Sequence, residues 1–182
     1  MKRDGWEGGH RVPFIARWPG RIPKGQVSDQ VTNTTDIFAT LASLVGYTLP
    51  DDAATDSFDM LPAMIGTQDP QEAIRPHLLT QSFRGEFQIR RSDWKYLDHQ
   101  GSGGNGDDTE PMKRYALPET APEAPGQLYT LATDPGETQN LYFKEETKRK
   151  ELQALLKKLK DTGRSAPKGR APVGIRNVPR VK

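Results

Sequence analysis

The 182-residue sequence predicts an α/β protein that forms part of a larger fold, and two patterns indicate this class. In the first fifty residues an apolar run, a polar loop and an amphipathic helix follow one another, which is the order of one unit of an α/β sheet. Between residues 77 and 131 short strand patterns occur, and one long amphipathic helix follows them. We therefore expect one strand and one helix of a large sheet, and then a small antiparallel sheet packed by a C-terminal helix.

The apolar run Val12–Trp18 ends in the turn signal Pro19-Gly20. A segment that is apolar on both faces is typical of a strand buried on both sides. Pro13 cannot donate to a ladder, so it must lie at the first residue of the strand or at an edge. One strand with one helix leaves both sheet edges unpaired, and we therefore expect this strand to be exposed in the isolated chain.

The first predicted helix begins near Thr34-Thr35-Asp36, whose side chains are good N-caps. Apolar residues then recur at helical spacing up to Val45, and Gly46 lies where a C-terminal glycine is expected. Residues 47–76 are rich in proline and aspartate, and we predict a single helical turn around Leu61 to Ile65 within them.

The second half of the chain predicts three strands and a helix. Two strands flank Arg84-Gly85, and the second of them contains a possible bulge at Ser92-Asp93. The helix carries a leucine stripe. The predicted ranges are His77–Phe83, Glu86–Leu97 and Gln127–Leu131 for the strands, a turn at Asp134–Glu137, and Glu145–Lys160 for the helix.

Composition excludes several kinds of chemistry. The sequence has no cysteine, which rules out disulfides and thiol catalysis, and its three histidines (His10, His77 and His99) lack metal-ligand spacing, so we predict no metal site. No apolar run approaches the length of a membrane span, and we expect no secretory signal within this chain. The basic segment 163–182 has no aromatic residue for base stacking, so a disordered, solvated tail is favoured over nucleic-acid binding.

The loop Gly101–Gly106 formally matches a dinucleotide fingerprint. A true fingerprint opens a helix at once, whereas here the carboxylates of Asp107 and Asp108 follow and would repel a phosphate. We reject the fingerprint and expect a surface loop. The alternative is a loop that lines a polar substrate pocket, with His99 beside it.

The first residues of the chain place Lys2 shortly before Trp6-Glu7-Gly8-Gly9. Two adjacent glycines permit positive φ and a close approach of the backbone, as in a tight turn beside an active-site wall. The ammonium group of Lys2 could then bind an anionic oxygen. From composition alone, an exposed N-terminal lysine is the simpler interpretation.

Five motifs in order resemble the sulfatases of the arylsulfatase type, in the alkaline phosphatase superfamily. The first contains Lys2, Trp6-Glu7-Gly8-Gly9, Arg11–Phe14 and Arg17–Gly20. The other four are Asp36–Leu41 running to Gly46, Asp56–Pro62 running to Gly66, Arg90–Tyr96, and Leu128–Leu131 with Asp134–Glu137 and Asn140-Leu141. The likeness covers roughly residues 2–162 and implies the alkaline-phosphatase-like sulfatase fold.

The resemblance implies hydrolysis of a sulfate ester, either an aryl sulfate or a sulfated carbohydrate. Members of this family use a formylglycine nucleophile made from Cys or Ser in a C/S-x-P-x-R motif, and Ca²⁺ that grips the sulfate. Of these functional groups only a sulfate-binding lysine maps onto this chain, at Lys2, and His99 is our candidate for substrate binding. The resemblance also implies a periplasmic or secreted location for the complete protein.

The C/S-x-P-x-R motif and the calcium ligands of the family have no counterpart in this sequence. We therefore expect the chain to correspond to the C-terminal third of a sulfatase and to be inactive alone. The expected divisions are 1–66, the end of the catalytic domain; 67–162, a C-terminal subdomain; and 163–182, the tail. Two alternatives stay open: a phosphodiesterase or phosphonate hydrolase of the same superfamily, and a non-catalytic module that binds a sulfated polysaccharide or nucleic acid.

Overall fold

A computed structural model describes residues 2–104, 110, 114 and 118–180 of the chain. They form two compact units: unit 1 comprises residues 1–13 and 79–161, and unit 2 comprises residues 14–78 and 162–182. These units are defined by contacts, whereas the divisions expected above concern the domains of the family and stay predictions. Part of the glycine-rich loop, including Asp107 and Asp108, lies outside the described residues.

Unit 1 is built on a four-stranded sheet in the order β1-β2-β3-β4. Strands β2 and β3 pair antiparallel, as do β3 and β4. A one-turn helix, α1, precedes the sheet and a long helix, α4, follows it. The bounds are Glu7–His10 for α1, Leu78–Gln81 for β1, Phe87–Arg91 for β2, Trp94–Leu97 for β3, Gln127–Thr130 for β4 and Glu146–Thr162 for α4.

One face of this sheet forms the core of unit 1. Ile89, Tyr96 and Leu128 lie in register across β2, β3 and β4, and all three are buried. They pack in one apolar cluster with the leucine stripe of α4, in which Leu152 and Leu156 are buried. The predicted leucine stripe is therefore confirmed, and the alternation of the strands assigns the opposite face to polar side chains.

The connection between β2 and β3 corrects a prediction. Residues Glu86–Leu97 form two strands, because Arg91 pairs with Trp94 across a two-residue turn at Ser92-Asp93. Ser92 has a φ of 51°, and two-residue hairpin turns need such left-handed backbone. Ser-Asp is not a typical sequence for that turn, and the alternation pattern therefore predicts one strand with a bulge.

Unit 2 contains helices α2 (Asp36–Val45) and α3 (Leu61–Ile65), both as predicted, and a short 3-10 helix at Ile175–Asn177. Gly46 ends α2 with a φ of 78°. A buried ion pair organises this unit: Arg75 Nε donates to Asp36 Oδ2 at 3.1 Å. Asp36 Oδ1 also accepts from the backbone N–H of Phe58 at 2.8 Å. The motifs at 36–41 and 56–62 are therefore joined through one carboxylate.

Residues 163–180 belong to unit 2 and make specific contacts within it, which corrects the prediction of a disordered tail. Arg170 donates to the backbone carbonyls of Ala53 and Ala54 at 3.0 and 3.2 Å. Ala166 and Val178 are buried in the two apolar clusters of this unit. Positive charge alone favours a solvated tail, but a guanidinium can also bind a cluster of backbone carbonyl oxygens.

The apolar segment Val12–Trp18 is not a strand, which also corrects a prediction. A strand needs a neighbouring strand for its backbone groups, and none of the described residues pairs with this segment. Ile15 is 89% exposed, in agreement with the expectation that this segment lacks its covering neighbours. On α2, Phe38 is 60% exposed, so unit 2 displays substantial apolar surface.

We predict that the amides of residues 12–18 exchange with solvent at nearly the rates of an unstructured peptide, because no backbone partner protects them. Amide hydrogen exchange by mass spectrometry would measure this, with the peptide that contains β3 as the protected control. Strong protection of residues 12–18 in a monomeric sample would contradict the expectation.

Candidate functional site

The candidate site is built on the polar face of the unit 1 sheet. Arg90, Lys95 and Tyr129 lie in register across β2, β3 and β4, and Gln127 pairs with Leu97 in the next row. These side chains alternate with the apolar residues that pack on α4, so they occupy the opposite face. The N-terminal segment of the chain and the loop after β3 contact this face.

Lys95 is the central residue of this face and is only 2% exposed. Its Nζ lies 3.0 Å from Glu7 Oε1 and 2.9 Å from Glu137 Oε1. The backbone N–H of Glu7 donates to Glu137 Oε2 at 2.5 Å, which closes a ring of three residues. A buried ammonium is costly unless it is paired, and here two carboxylates compensate it.

Two further basic side chains lie near Glu7. His10 Nε2 is 3.4 Å from Oε1, and Arg90 Nη1 is 3.6 Å from Oε2. Burial alone would raise the pKa of Glu7, but its hydrogen bonds and charge interactions with His10 and Lys95 lower that pKa to about 2. The pKa of Glu137 is instead raised, because its burial outweighs the attraction to Lys95. Glu7 is therefore the ionised partner of the buried lysine.

Three residues before Glu7 bind the same unit through other groups. Trp6 Nε1 donates to Gln127 Oε1 at 2.9 Å, and the N–H of Gly5 donates to the carbonyl of Ser102 at 2.7 Å. The carbonyl of Arg3 accepts from the N–H of Phe83 at 3.0 Å. Arg3 also has a φ of 86°, which is unusual for a residue with a side chain and costs conformational energy. Residues 3–7 are therefore held at nearly every position.

The two adjacent glycines have a different role from the one expected. Neither Gly8 nor Gly9 has a positive φ; both lie in α1, the single helical turn Glu7–His10. The expected close approach occurs at Gly9, where a Cβ atom would lie 2.1 Å from the carbonyl oxygen of Asp4. A side chain at position 9 would therefore displace the segment that leads from Lys2.

Lys2 itself is exposed, next to the strained turn at Arg3. His99 is 6% exposed, and its Nδ1 lies 3.1 Å from the carbonyl of Gln100 and 3.4 Å from Glu86 Oε2. Its Nε2 has no hydrogen-bond partner among the described residues. A Cβ at Gly5 would lie 3.0 Å from that nitrogen.

The loop after His99 runs along the segment that carries Lys2. Besides the bond from Gly5 to Ser102, the N–H of Arg84 donates to the carbonyl of Gly103 at 3.1 Å. A Cβ at Gly104 would lie 2.2 Å from the carbonyl oxygen of Arg3, so only glycine fits there. The loop and the N-terminal segment thus pack directly on each other.

The described residues do not fit a calcium site. They contain no group of three or more His, Cys, Asp or Glu side chains that could hold a metal ion. The sequence also has no cysteine and no S-x-P-x-R motif from which formylglycine could form. We therefore assign no step that depends on either group to the residues that the structure describes.

Among the described residues, no helix is long and apolar enough to cross a membrane. Two arginines of the basic tail, Arg164 and Arg170, donate to backbone carbonyls of unit 2. Those guanidinium groups are thus engaged within the protein.

Comparison with known proteins shows similarity to sulfatases. The sulfatase family model matches residues 1–47. The chain is 30% identical over 159 residues to an N-acetylgalactosamine-6-O-sulfatase of Bacteroides thetaiotaomicron, covering 87% of this chain and 29% of that protein. It is 35% identical over 139 residues to human arylsulfatase A, covering 75% of this chain and 27% of that protein.

A solved structure gives the same result for the fold. It comes from work on the metabolism of multiple glycosaminoglycans by Bacteroides thetaiotaomicron, and it superposes with a TM-score of 0.70 at 29% identity. The superposition covers 88% of this chain and 31% of that chain. The resemblance to sulfatases is therefore confirmed over most of the chain, which spans less than a third of the length of the relatives it matches.

We predict that Glu7 gives unit 1 an acid-sensitive stability. Because its folded pKa is depressed, its contribution is present above the ordinary value of 4.5 and is lost as the pH falls toward 2. The shift corresponds to about 3 kcal/mol. Urea unfolding of the wild type and of Glu7→Gln between pH 6 and pH 2.5 would measure it, and the stability difference between the two should shrink across this range.

Glu137→Gln serves as the control for this measurement. A raised pKa contributes stability below the ordinary value that is lost as the pH rises through the folded pKa, which is opposite in sign to Glu7. The Glu137→Gln protein should therefore retain the acid-side loss that Glu7 causes. A constant difference between the wild type and Glu7→Gln at all pH values would contradict the prediction.

Proposed function

We propose that this chain supplies the C-terminal part of a sulfatase that hydrolyses sulfate esters. The observation that carries the proposal is the fixed N-terminal segment: Lys2 precedes a turn whose residues 3–7 are anchored to the sheet and to the loop after His99. Sulfatase similarity over 87% of the chain to one relative supports it. The nucleophile and the calcium ligands belong to the part of sulfatases that this chain does not cover.

Lys2 holds one oxygen of the sulfate group in this proposal. The ammonium is a compact charge with three donors, suited to an anionic oxygen. As the bond between sulfur and the ester oxygen breaks, its electron pair passes to the departing oxygen, and a fixed cation beside the anionic sulfate group stabilises the transition state. Formylglycine and Ca²⁺ would supply the nucleophile and the second positive charge in the complete protein.

His99 contacts the group beyond the sulfate in this proposal. The loop that follows it packs on the backbone of Arg3, which brings it close to the segment that carries Lys2. We propose a sulfated carbohydrate as the substrate class, in keeping with the names of the relatives, and a periplasmic or secreted location for the complete protein.

We predict that the 182-residue chain alone shows no detectable hydrolysis of an aryl sulfate, because its residues provide no nucleophile. A chimera should be active in which this chain replaces the matching 159-residue segment of the Bacteroides N-acetylgalactosamine-6-O-sulfatase. In that chimera Lys2→Met should lower kcat by about 10² to 10³, the range found when one charge-stabilising donor is removed. Lys24→Met, at an exposed loop residue, is the matched control.

Two results would contradict this function. Measurable turnover by the chain alone would show that it needs no further nucleophile. An active chimera whose kcat is the same for Lys2→Met as for the Lys24→Met control would remove Lys2 from the reaction.

We predict that His99→Ala in the chimera raises KM for a sulfated carbohydrate several-fold and leaves the kinetics of a small aryl sulfate nearly unchanged. The small substrate has no group to reach His99, so it serves as the internal control for folding. Equal losses with both substrates would assign His99 to the structure of the loop instead.

A further inference from the structure

A lysine that acts on a sulfate oxygen must be held in position, because its four-carbon side chain is flexible and a misplaced charge stabilises a transition state poorly. Lys2 is exposed and lies outside the sheet. The nearest regular element is the single turn α1, which is too short to be stable by itself. The bonds that residues 3–7 make to the rest of unit 1 therefore hold the backbone that carries Lys2.

We propose that Lys95 is a positioning residue for the sulfatase reaction, and this inference rests on the function proposed above. Through Glu7 and Glu137 it fixes the segment of residues 3–7, and the segment in turn fixes Lys2 at the sulfate group. Lys95 lies at the centre of β3, a strand paired on both sides, and is thus a rigid support.

The charge balance of the ring explains why Lys95 is the decisive member. Glu137 holds the backbone of Glu7 at 2.5 Å, so the two carboxyl groups lie close together and repel when both are ionised. The ammonium of Lys95 lies within 3.0 Å of both. Without it, Arg90 and His10 would still face Glu7, but α1 would lose its direct ion pair with β3, and the two carboxyl groups would lose the ammonium that lies between them.

The helical turn that carries Glu7 has few bonds of its own to resist the loss of this attachment. The N–H groups of Gly9 and Arg11 donate to Trp6 and Glu7, so both bonds require α1 to stay formed. The bond from Trp6 to Gln127 requires the indole to stay over the polar face. The Arg3 turn has an unfavourable φ, which relaxes once its surroundings no longer hold it.

The first test measures the position of the segment without any activity. Hydrogen exchange of the complete 182-residue chain would compare the wild type, Lys95→Met and the exposed-lysine control Lys157→Met. In Lys95→Met the peptide covering residues 3–11 should exchange at least tenfold faster, while the peptide covering 152–159 of α4 stays within twofold. Glu7→Gln is the milder second variant, and a smaller, equally local increase is expected.

Two outcomes of this test would overturn the proposal. One is unchanged exchange at residues 3–11 in both variants. The other is equal acceleration at residues 3–11 and 152–159, which would give Lys95 a role in global stability only.

The second test connects Lys95 to catalysis in the chimera. Lys95→Met should lower kcat for a small aryl sulfate at least tenfold with little change in KM. In a Lys2→Met background the same change should cost less than twofold more, because the lysine that it positions is already gone. Multiplicative losses in the double variant would overturn the positioning role, since they would mean that Lys95 acts independently of Lys2.

These measurements separate the inference from the function on which it rests. If Lys2→Met leaves the chimera as active as its control, the proposed function fails and a catalytic positioning role fails with it. If Lys2→Met is damaging and Lys95→Met is harmless, the function stands and the positioning inference alone is wrong.

Discussion

Unit 1 depends on the neutralisation of one buried charge. Lys95 is placed on a central strand of the sheet, where its ammonium cannot reach water, so carboxylates must be brought to it. Glu137 comes from the turn after β4, and Glu7 comes from a segment 88 residues away in the sequence. The requirement to pair this charge therefore determines how the first residues of the chain attach to the sheet. Each of the three residues lies within a motif that carries the sulfatase resemblance.

The same sheet separates two kinds of stabilisation. Its face toward α4 is apolar and stabilises the unit through burial of Ile89, Tyr96 and Leu128. Such a core tolerates changes of side-chain volume better than the introduction of a charge. Its polar face contributes through the paired charges of Glu7 and Lys95, and this contribution depends on pH and on the partners staying in place. The polar face also supplies a single defined position for the N-terminal segment. Under the proposed function, a defined position is the property that Lys2 needs to hold a sulfate oxygen.

The elements that the sequence could predict are those set by local chemistry. Helix α2 follows from its spacing and from Gly46, and the leucines of α4 follow from their period of 3.6. The turn at Ser92-Asp93 was missed because a serine took the left-handed conformation normally given to glycine. The network around Lys95 was missed because contacts across 88 and 130 residues leave no periodic signal.

The two units differ in how much of their polar and apolar surface is paired or buried within the unit itself. Unit 1 pairs the strands of its sheet, fills its core and compensates its buried lysine, so the proposed site has a rigid base. Unit 2 satisfies Asp36 and Arg75 internally, yet the segment 12–18 and the outer face of α2 expose their apolar side chains. A chain that spans less than a third of its relatives would show this contrast if unit 1 is the self-contained part and unit 2 is completed by further sequence. Under the proposed function, joining this chain to the rest of a sulfatase fold, as in the chimera, should raise the protection of unit 2 far more than that of unit 1, because the bonds that hold Glu7 to Lys95 already form in the chain.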